Sequence, residues 1–555
     1  MRSWVTRFWR SLAAGGLVLG TLFFVASLTP TLIPRTYLTQ GVLSGACFAV
    51  GYGVGVAWRG LWTYMELPEP RERLLVALKI VAAAVCAAIA ILFLWWAAEW
   101  QNSIRRLMDL EPVTSAHPFE ICLIAIVTFL VVIALARLFK GISRLIAERS
   151  GRFVPRRVSR VIGFAVAILL FWAVANGVLV RYALRVADSS FAALDALIEP
   201  DRPQPESPLK TGSPASLVGW EELGRAGREF IATGPTAAEI AAFTHANALE
   251  PIRVYVGLRV ADTAEDRAQI ALEELKRLSA FERSVLVVVT PTGSGWVDPA
   301  AMNSVEYLHR GDVASVAQQY SYLSSPLSLL FEPEYGSEAA QALFAAVYGY
   351  WTTLPRESRP KLYLHGLSLG ALNSEKSAEL FEILGDPIQG ALWSGPPFEA
   401  RMWRSVTEHR NPGSPAWLPQ FRDGSFIRFV NQDGGPDPTD APWGPLRIVY
   451  LQYASDAITF FDYRDFYRRP AWMDAPRGPD VSPELRWYPV VTMLQLALDM
   501  AVATGTPMGY GHVFAPEHYV NAWLAVTDPQ GWSADQIAQL KQHLAARARP
   551  CDGCL

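Results

Sequence analysis

Residues 361–370 read KLYLHGLSLG, and ALNSEKSAELFEIL follows at 371–384. Lys361 to His365 alternate as a strand does, the next five residues are G-x-S-x-G, and the run after them is compatible with a helix. A strand that ends in a sharp turn opening a helix forces its middle residue into a strained backbone conformation. The turn also leaves no room for bulk on either side, hence Gly366 and Gly370. Ser368 then stands proud of a sheet edge, and the Leu369 N–H, at a helix N-terminus, is placed to stabilise an oxyanion. The plain alternative is a surface serine in a tight strand–helix turn.

Around this stretch the pattern alternates. Strands are expected at 252–260, 284–290, 313–320, 361–365, 388–393, 426–430 and 447–453, with helical runs at 265–278 and 337–350 between them. Thr236 and Glu239 form a capping box at the start of a further helix. This spacing reads as the α/β class, a mostly parallel sheet covered on both faces. No repeat of 20–50 residues is visible.

In such a sheet reactive groups gather at the carboxyl ends of strands. A serine hydroxyl needs a neighbouring base, and the base an acid that orients it. Asp456, just past the 447–453 strand, is the favoured acid; Asp433 and Asp462 are the alternatives, and an Asx-turn or helix cap is the bland reading of each. Of eight histidines, His512 in TPMGYGHVFAPEH lies in a glycine-studded loop able to project an imidazole over the sheet edge, with His518 as its alternative. His365 ends the elbow strand and reads as a core histidine. His117, His245 and His309 precede the nucleophile strand, His409 falls in a cap segment and His543 on a charged terminal helix. A second oxyanion donor is expected from the loop after 284–290, from the N–H of Thr292 or Gly293, where an ordinary turn is the alternative.

The first 185 residues differ in kind. Apolar spans at about 11–33, 38–58, 74–97, 121–139 and 161–180 each approach the length of a bilayer-crossing helix. The first has Arg2, Arg7 and Arg10 before it but no small-residue cleavage site before the next span, so it reads as uncleaved. With the N-terminus inside, the inner segments carry fourteen Lys and Arg, eight of them between Arg137 and Arg160; the outer segments carry five, including Arg35. That asymmetry places the rest of the chain outside the cytoplasm. Apart from Lys79 near a span end, no ionisable residue sits deep in a span, which disfavours an ion or proton pathway. Gly41, Gly45, Gly51, Gly53 and Gly55 read as a helix-packing face.

The expected organisation is a transmembrane helical domain over 1–185, a proline-rich linker over 186–220 and a catalytic domain over 221–555. A hydrophobic content of 51% fits the membrane portion, and a net charge of -3 without a basic aromatic patch argues against nucleic acid. Cys47, Cys86 and Cys122 lie in apolar runs and read as small hydrophobes, whereas Cys551 and Cys554 form a lone C-x-x-C lacking the further ligands of a zinc site. Trp403, Trp417 and Trp443, in a Pro- and Gly-rich insertion at 395–445, either line an apolar acyl site or pack an irregular segment. The apolar run 485–504, interrupted by Pro489, Gln495 and Asp499, reads as a core helix and not a further span.

These stretches resemble a known family. SLTPTLIPR (27–35) and QGVLSG (40–45), then EPIRVYVGL (250–258), the Ser368 elbow, WSGPPF (393–398), RNPGSPAWLP (410–419), YLQYASDAITFFD (450–462) and the His512 loop are similar to the bacterial membrane-anchored alpha/beta-hydrolase family 9. The resemblance covers nearly the whole chain and implies an alpha/beta-hydrolase fold with Ser368, Asp456 and His512 at the matching positions. That family's elbow commonly has an acidic residue where this chain has Leu367. The expected protein is thus a multi-pass protein of the bacterial inner membrane whose extracytoplasmic head is an esterase- or lipase-like serine hydrolase of ester or lipid substrates. No metal or organic cofactor is implied. The alternatives are acyl transfer through the same residues, or a non-catalytic scaffold or transport accessory that kept the hydrolase shape.

Overall fold

The computed structural model describes residues 12–68, 72–174, 195–323, 325, 327, 328, 332, 334–378, 383–434 and 441–548. The chain divides into two compact units. One contains residues 1–185 together with 461–473 and 479–500; the other contains 186–460, 474–478 and 501–555.

Among the described residues the second unit is built on seven strands: β1 (Ile252–Val256), β2 (Val285–Thr290), β3 (Val313–Gln318), β4 (Lys361–Leu367), β5 (Gly390–Ser394), β6 (Ile427–Val430) and β7 (Arg447–Leu451). All seven stand where the alternating pattern puts them. Their order is β1-β3-β2-β4-β5-β7-β6, and every neighbouring pair is parallel. β2 (VLVVVT) and β3 (VASVAQ) are buried at every residue, as a strand covered by helices on both faces must be. Each fully enclosed Val or Leu contributes about 1.5–3 kcal/mol, and β2 alone encloses four Val and one Leu. The expected capping box is present: the Thr236 side chain accepts from the Glu239 N–H, and the Glu239 carboxylate accepts from the Thr236 N–H.

The proline-rich linker expected over 186–220 differs from a free tether. Residues 186–194 lie outside the described residues, but from 195 on the segment is pinned to the sheet unit. Arg228, wholly buried, holds Glu199 at 3.0 Å, and Glu274 accepts from the Ser216 hydroxyl (2.7 Å) and the Leu217 N–H (3.1 Å). Proline content makes a segment extended; it does not prevent side-chain and backbone groups from finding partners.

In the first unit the apolar runs form helices α1 (Ala14–Ser27), α2 (Tyr37–Tyr64), α3 (Glu72–Arg105), α4 (Pro118–Ser150) and α5 (Arg156–Trp172). Among the described residues three stretches, Tyr37–Tyr64, Val76–Met108 and Pro118–Ser150, are long and apolar enough to cross a membrane. α1 has only fourteen residues, ending at the Ser-Leu-Thr-Pro stretch, and the end of the fifth expected span (175–180) lies outside the described residues. Trp95, Leu123 and Leu169 stand exposed on their helices, as lipid-facing side chains do. A Cβ on Gly45 would lie 2.5 Å from the Ala125 carbonyl oxygen, and one on Gly51 2.5 Å from that of Leu19, so these glycines permit close helix approach; Gly53 faces open space.

Helix Val491–Ala501 belongs to this first unit, whereas the sequence placed it in the core of the catalytic domain. Val491 packs in one buried cluster with Ala26, Leu43 and Cys47. The Gln495 amide donates toward the carbonyls of Ala26, Ser27 and Thr29 at 3.2–3.4 Å. The helix is core, as its interrupted apolar pattern implies, but of the other unit.

Candidate active site

Ser368 sits between β4 and helix Leu369–Ser377, with φ 57° and ψ −124°. A non-glycine residue held there stores roughly 1–3 kcal/mol of backbone strain, and such strain persists only where the surroundings over-determine it. They do so here. A Cβ on Gly366 would lie 2.3 Å from the Gly370 carbonyl, and one on Gly370 2.1 Å from the Thr290 carbonyl oxygen, so both flanking glycines are required by space. The Ser368 N–H donates to the Ser394 carbonyl at 3.0 Å, which fixes the turn against the end of β5. Leu369, the first residue of its helix, has an N–H without an intrahelical acceptor.

Asp456 follows β7 and is fully buried. Its Oδ1 accepts from the Ile458 N–H (2.9 Å) and the Thr459 N–H (3.4 Å), and its Oδ2 from the Thr459 hydroxyl (3.1 Å). The remaining direction of Oδ2 meets His512 Nδ1 at 2.7 Å. Asp456 therefore caps a helix and bonds an imidazole at once. Three hydrogen-bond donors besides the histidine hold the carboxylate in one orientation.

The loop that carries His512 is shaped by glycine and by a side chain next to the acid. Gly511 has φ +57°, a Cβ on it would lie 2.6 Å from Thr506 Oγ1, and its N–H donates to the Ser455 hydroxyl at 2.9 Å. Residues 455 and 511, neighbours of the acid and the histidine, are thus bonded in parallel with them. Gly395, one residue beyond the carbonyl that receives the Ser368 N–H, has φ +49° and lies against the imidazole. A Cβ there would come within 2.6 Å of His512 Cε1. His512 Nε2, the nitrogen not engaged by Asp456, is buried and has no hydrogen-bond partner among the described residues. Ser368 is 6% exposed and His512 7%, so the group is almost closed to solvent.

The alternatives fall to ordinary roles. Asp433 is exposed in an Asx turn with Asn431, and Asp462 caps a 3-10 turn in the first unit. His518 Nδ1 bonds the Tyr453 hydroxyl at 2.6 Å, and burial pulls its pKa down to about 4. His365 Nδ1 bonds the Leu392 carbonyl at 2.8 Å in the core, and burial pulls it likewise to about 4. His309 meets the Thr527 hydroxyl, His409 the Ser405 carbonyl and His543 the Tyr307 hydroxyl; His245 ends a helix and His117 begins one in the first unit.

In the loop after β2, the Thr292 N–H donates to the Trp296 carbonyl (3.0 Å) and the Gly293 N–H to the Ser325 hydroxyl (3.1 Å). Trp403 donates to Gln452, Trp417 to the Pro476 carbonyl, and Trp443 carries the Arg428 guanidinium 4.0 Å from its ring centre. These are packing roles. Part of the segment expected as a cap is strand β6 itself. Among the described residues no three His, Cys, Asp or Glu side chains gather so as to hold a metal ion. The C-x-x-C at 551–554 lies outside the described residues.

Sequence reasoning missed Gly395, Ser455 and Thr459. Thr459 was legible as a capping partner three residues after an aspartate. Gly395 carried a signal in its place directly after a strand, in SGPP; nothing marked Ser455.

A parallel sheet with a strained strand–serine–helix turn, and a carboxylate just after a later strand bonded to an imidazole on a glycine-shaped loop further along the chain, is the design of an α/β-hydrolase domain. Residues 252–540 match the family model described as alpha/beta-hydrolase family, and residues 28–235 match that of the alpha/beta-hydrolase family N-terminus. The chain belongs to this alpha/beta-hydrolase family. No curated protein and no solved structure matches it.

Proposed function

We propose that the protein is a membrane-anchored serine hydrolase that cleaves carboxylic esters, lipid or cell-envelope esters among them, through an acyl-enzyme. The observation that carries this reading is the Asp456–His512 contact of 2.7 Å, with the outer imidazole nitrogen left unpartnered beside the strand end that fixes Ser368. His512 Nε2 takes the proton as Ser368 Oγ bonds to the ester carbonyl carbon. Asp456 stays ionised, holds the Nδ1–H tautomer and stabilises the imidazolium. The Leu369 N–H stabilises the oxyanion. The carbon–oxygen bond to the alcohol breaks, the alcohol leaves with the proton from Nε2, and water repeats the sequence to release the acid and free the serine.

The apolar exposed helices support residence in a bilayer. With the five spans read from the sequence, the excess of Lys and Arg in the inner segments supports a sheet unit outside the cytoplasm of a bacterial inner membrane.

The test is a fluorophosphonate probe on the purified full-length chain, alongside esters of graded acyl length. Labelling that vanishes in Ser368→Ala is the expected result. Well-folded wild type that neither takes the probe nor cleaves any ester overturns the proposal.

A further inference from the structure

We propose that the side-chain hydroxyl of Thr292 is a catalytic hydrogen-bond donor, supplying to the developing oxyanion the second contact that a backbone N–H would otherwise make. The inference rests on the serine-hydrolase reading of Ser368 and adds a residue to it.

The loop that begins at Thr290 borders the serine turn. Thr290 pairs with Gly366 in the sheet, and a Cβ on Gly370 would lie 2.1 Å from the Thr290 carbonyl oxygen and 2.9 Å from that of Pro291. Thr292 is the next residue. Neither backbone donor available at this point is free, because the Thr292 N–H is bonded to Trp296 and the Gly293 N–H to Ser325. The Ser325 backbone also presses on Gly293, within 2.7 Å of where a Cβ would stand. Meanwhile Thr292 Oγ1 is enclosed and has no hydrogen-bond partner among the described residues, on a residue only 6% exposed. Native proteins leave few enclosed hydroxyls unpaired, and each one kept calls for an explanation. His512 Nε2 is in the same condition. One of these polar atoms lies on the loop that borders the serine turn and the other against Gly395, just past the strand end that holds the Ser368 N–H: a hydroxyl that donates a hydrogen bond and a nitrogen that accepts a proton.

During attack the Ser368 Oγ–carbon bond forms, the carbonyl π pair moves onto oxygen, and the serine proton passes to His512 Nε2. Thr292 keeps its proton and donates a hydrogen bond to that oxygen, together with the Leu369 N–H. Because the contact strengthens only as charge develops, it acts on kcat more than on KM.

The experiment uses the full-length chain in detergent, nitrophenyl esters as substrates and an alkyl boronic acid as a tetrahedral mimic. Thr292→Val, close in shape but without a hydroxyl, is expected to lower kcat by about a hundredfold or more with KM little changed. The same variant should weaken boronate binding by a similar factor, and Thr292→Ser should recover most of both losses. Should Thr292→Val fail to fold, Thr292→Ala against Thr292→Ser gives the same comparison. A valine variant within about threefold of wild type in kcat, while Ser368→Ala is dead, overturns the role of Thr292 and leaves the hydrolase reading standing. A wild type that ignores both ester and fluorophosphonate overturns both.

Discussion

Arg35 and Asp499, 464 residues apart in the chain, form an ion pair with both side chains wholly enclosed, Arg35 Nε lying 3.2 Å from Asp499 Oδ1. The rest of each group is also satisfied. Arg35 donates to the Ser27 carbonyl, Gln40 and Thr31, and the Leu32 N–H donates to Asp499 Oδ2 at 3.2 Å. The pair ties helix Val491–Ala501 to the turn between α1 and α2. In sequence this helix lies between Asp456 and His512, so the stretch of chain joining the acid to the histidine is built partly on the N-terminal helices. Removing one partner of an enclosed pair strands the other charge, so Asp499→Ala should cost about 3–5 kcal/mol, and Arg35→Met with Asp499→Leu should recover most of it. Thermal and denaturant unfolding of the detergent-solubilised chain measures both. An alanine variant within about 1 kcal/mol of wild type counts against the anchoring role.

Gly395 supports the imidazole from behind. With φ +49° and His512 Cε1 only 2.6 Å from where a Cβ would stand, Gly395→Ala must push the ring or strain the backbone. Phe514, 2.9 Å from the same position, blocks the alternative shift. Since small displacements of a reacting group cost about a hundredfold in rate, kcat should fall by that order while the circular dichroism spectrum stays native. Full activity in a folded Gly395→Ala protein means that the imidazole works from a different position.

The sheet was legible because its strands are short apolar runs bounded by turn residues, and the elbow because two glycines flank a serine between a strand and a helix. The contact between Asp456 and His512 was foreshadowed by the place of Asp456 just past a strand and by the glycines around residue 512. What the sequence concealed depends on long-range pairing. Arg35 looks like one more loop charge until Asp499 is brought beside it, and 485–504 looks like core without saying of which unit. The linker's prolines likewise said nothing of Glu199 meeting Arg228 or Glu274 meeting Ser216. The two backbone donors expected at Thr292 and Gly293 find acceptors in Trp296 and Ser325, partners that no local pattern announces.

Asp456 holds His512 through Nδ1 while Thr459 and the Ile458 N–H hold Asp456. Asp456→Asn keeps the shape but presents an amide donor or an amide oxygen where a carboxylate stabilised the imidazolium. A loss of about ten-thousandfold in kcat is expected, with the fold intact. Thr459→Val, which removes one of several donors to the carboxylate, should cost far less in rate and about 1.5–3 kcal/mol of stability. Ester turnover and the rate of fluorophosphonate labelling test the first, and denaturant unfolding the second. Equal rates for wild type and Asp456→Asn contradict the assignment of the acid.

Two buried groups outside the site should tilt stability against pH in opposite directions. Burial holds His365 neutral, its pKa drawn down to about 4 from 6.5, so the unfolded chain takes up a proton that the folded one refuses. The stability carried by its neutral form is complete above about 6.5 and is lost as pH falls toward about 4. Burial holds the Asp298 carboxyl protonated, its pKa pushed up to about 7 from 3.8, although the Ala300 N–H bonded to it favours the ionised form. The folded state keeps a proton that the unfolded chain releases, so that contribution is complete below about 4 and is lost as pH rises through about 7. His365→Gln and Asp298→Asn remove one titration each. Between pH 7 and 5 wild type should lose stability relative to His365→Gln on acidification; between pH 5 and 7.5 it should lose stability relative to Asp298→Asn as pH rises. Each difference changes by at most about 1.4 kcal/mol per pH unit. Denaturant unfolding of the three proteins across this range reads the slopes directly, and flat differences for both variants would mean that neither group titrates with folding.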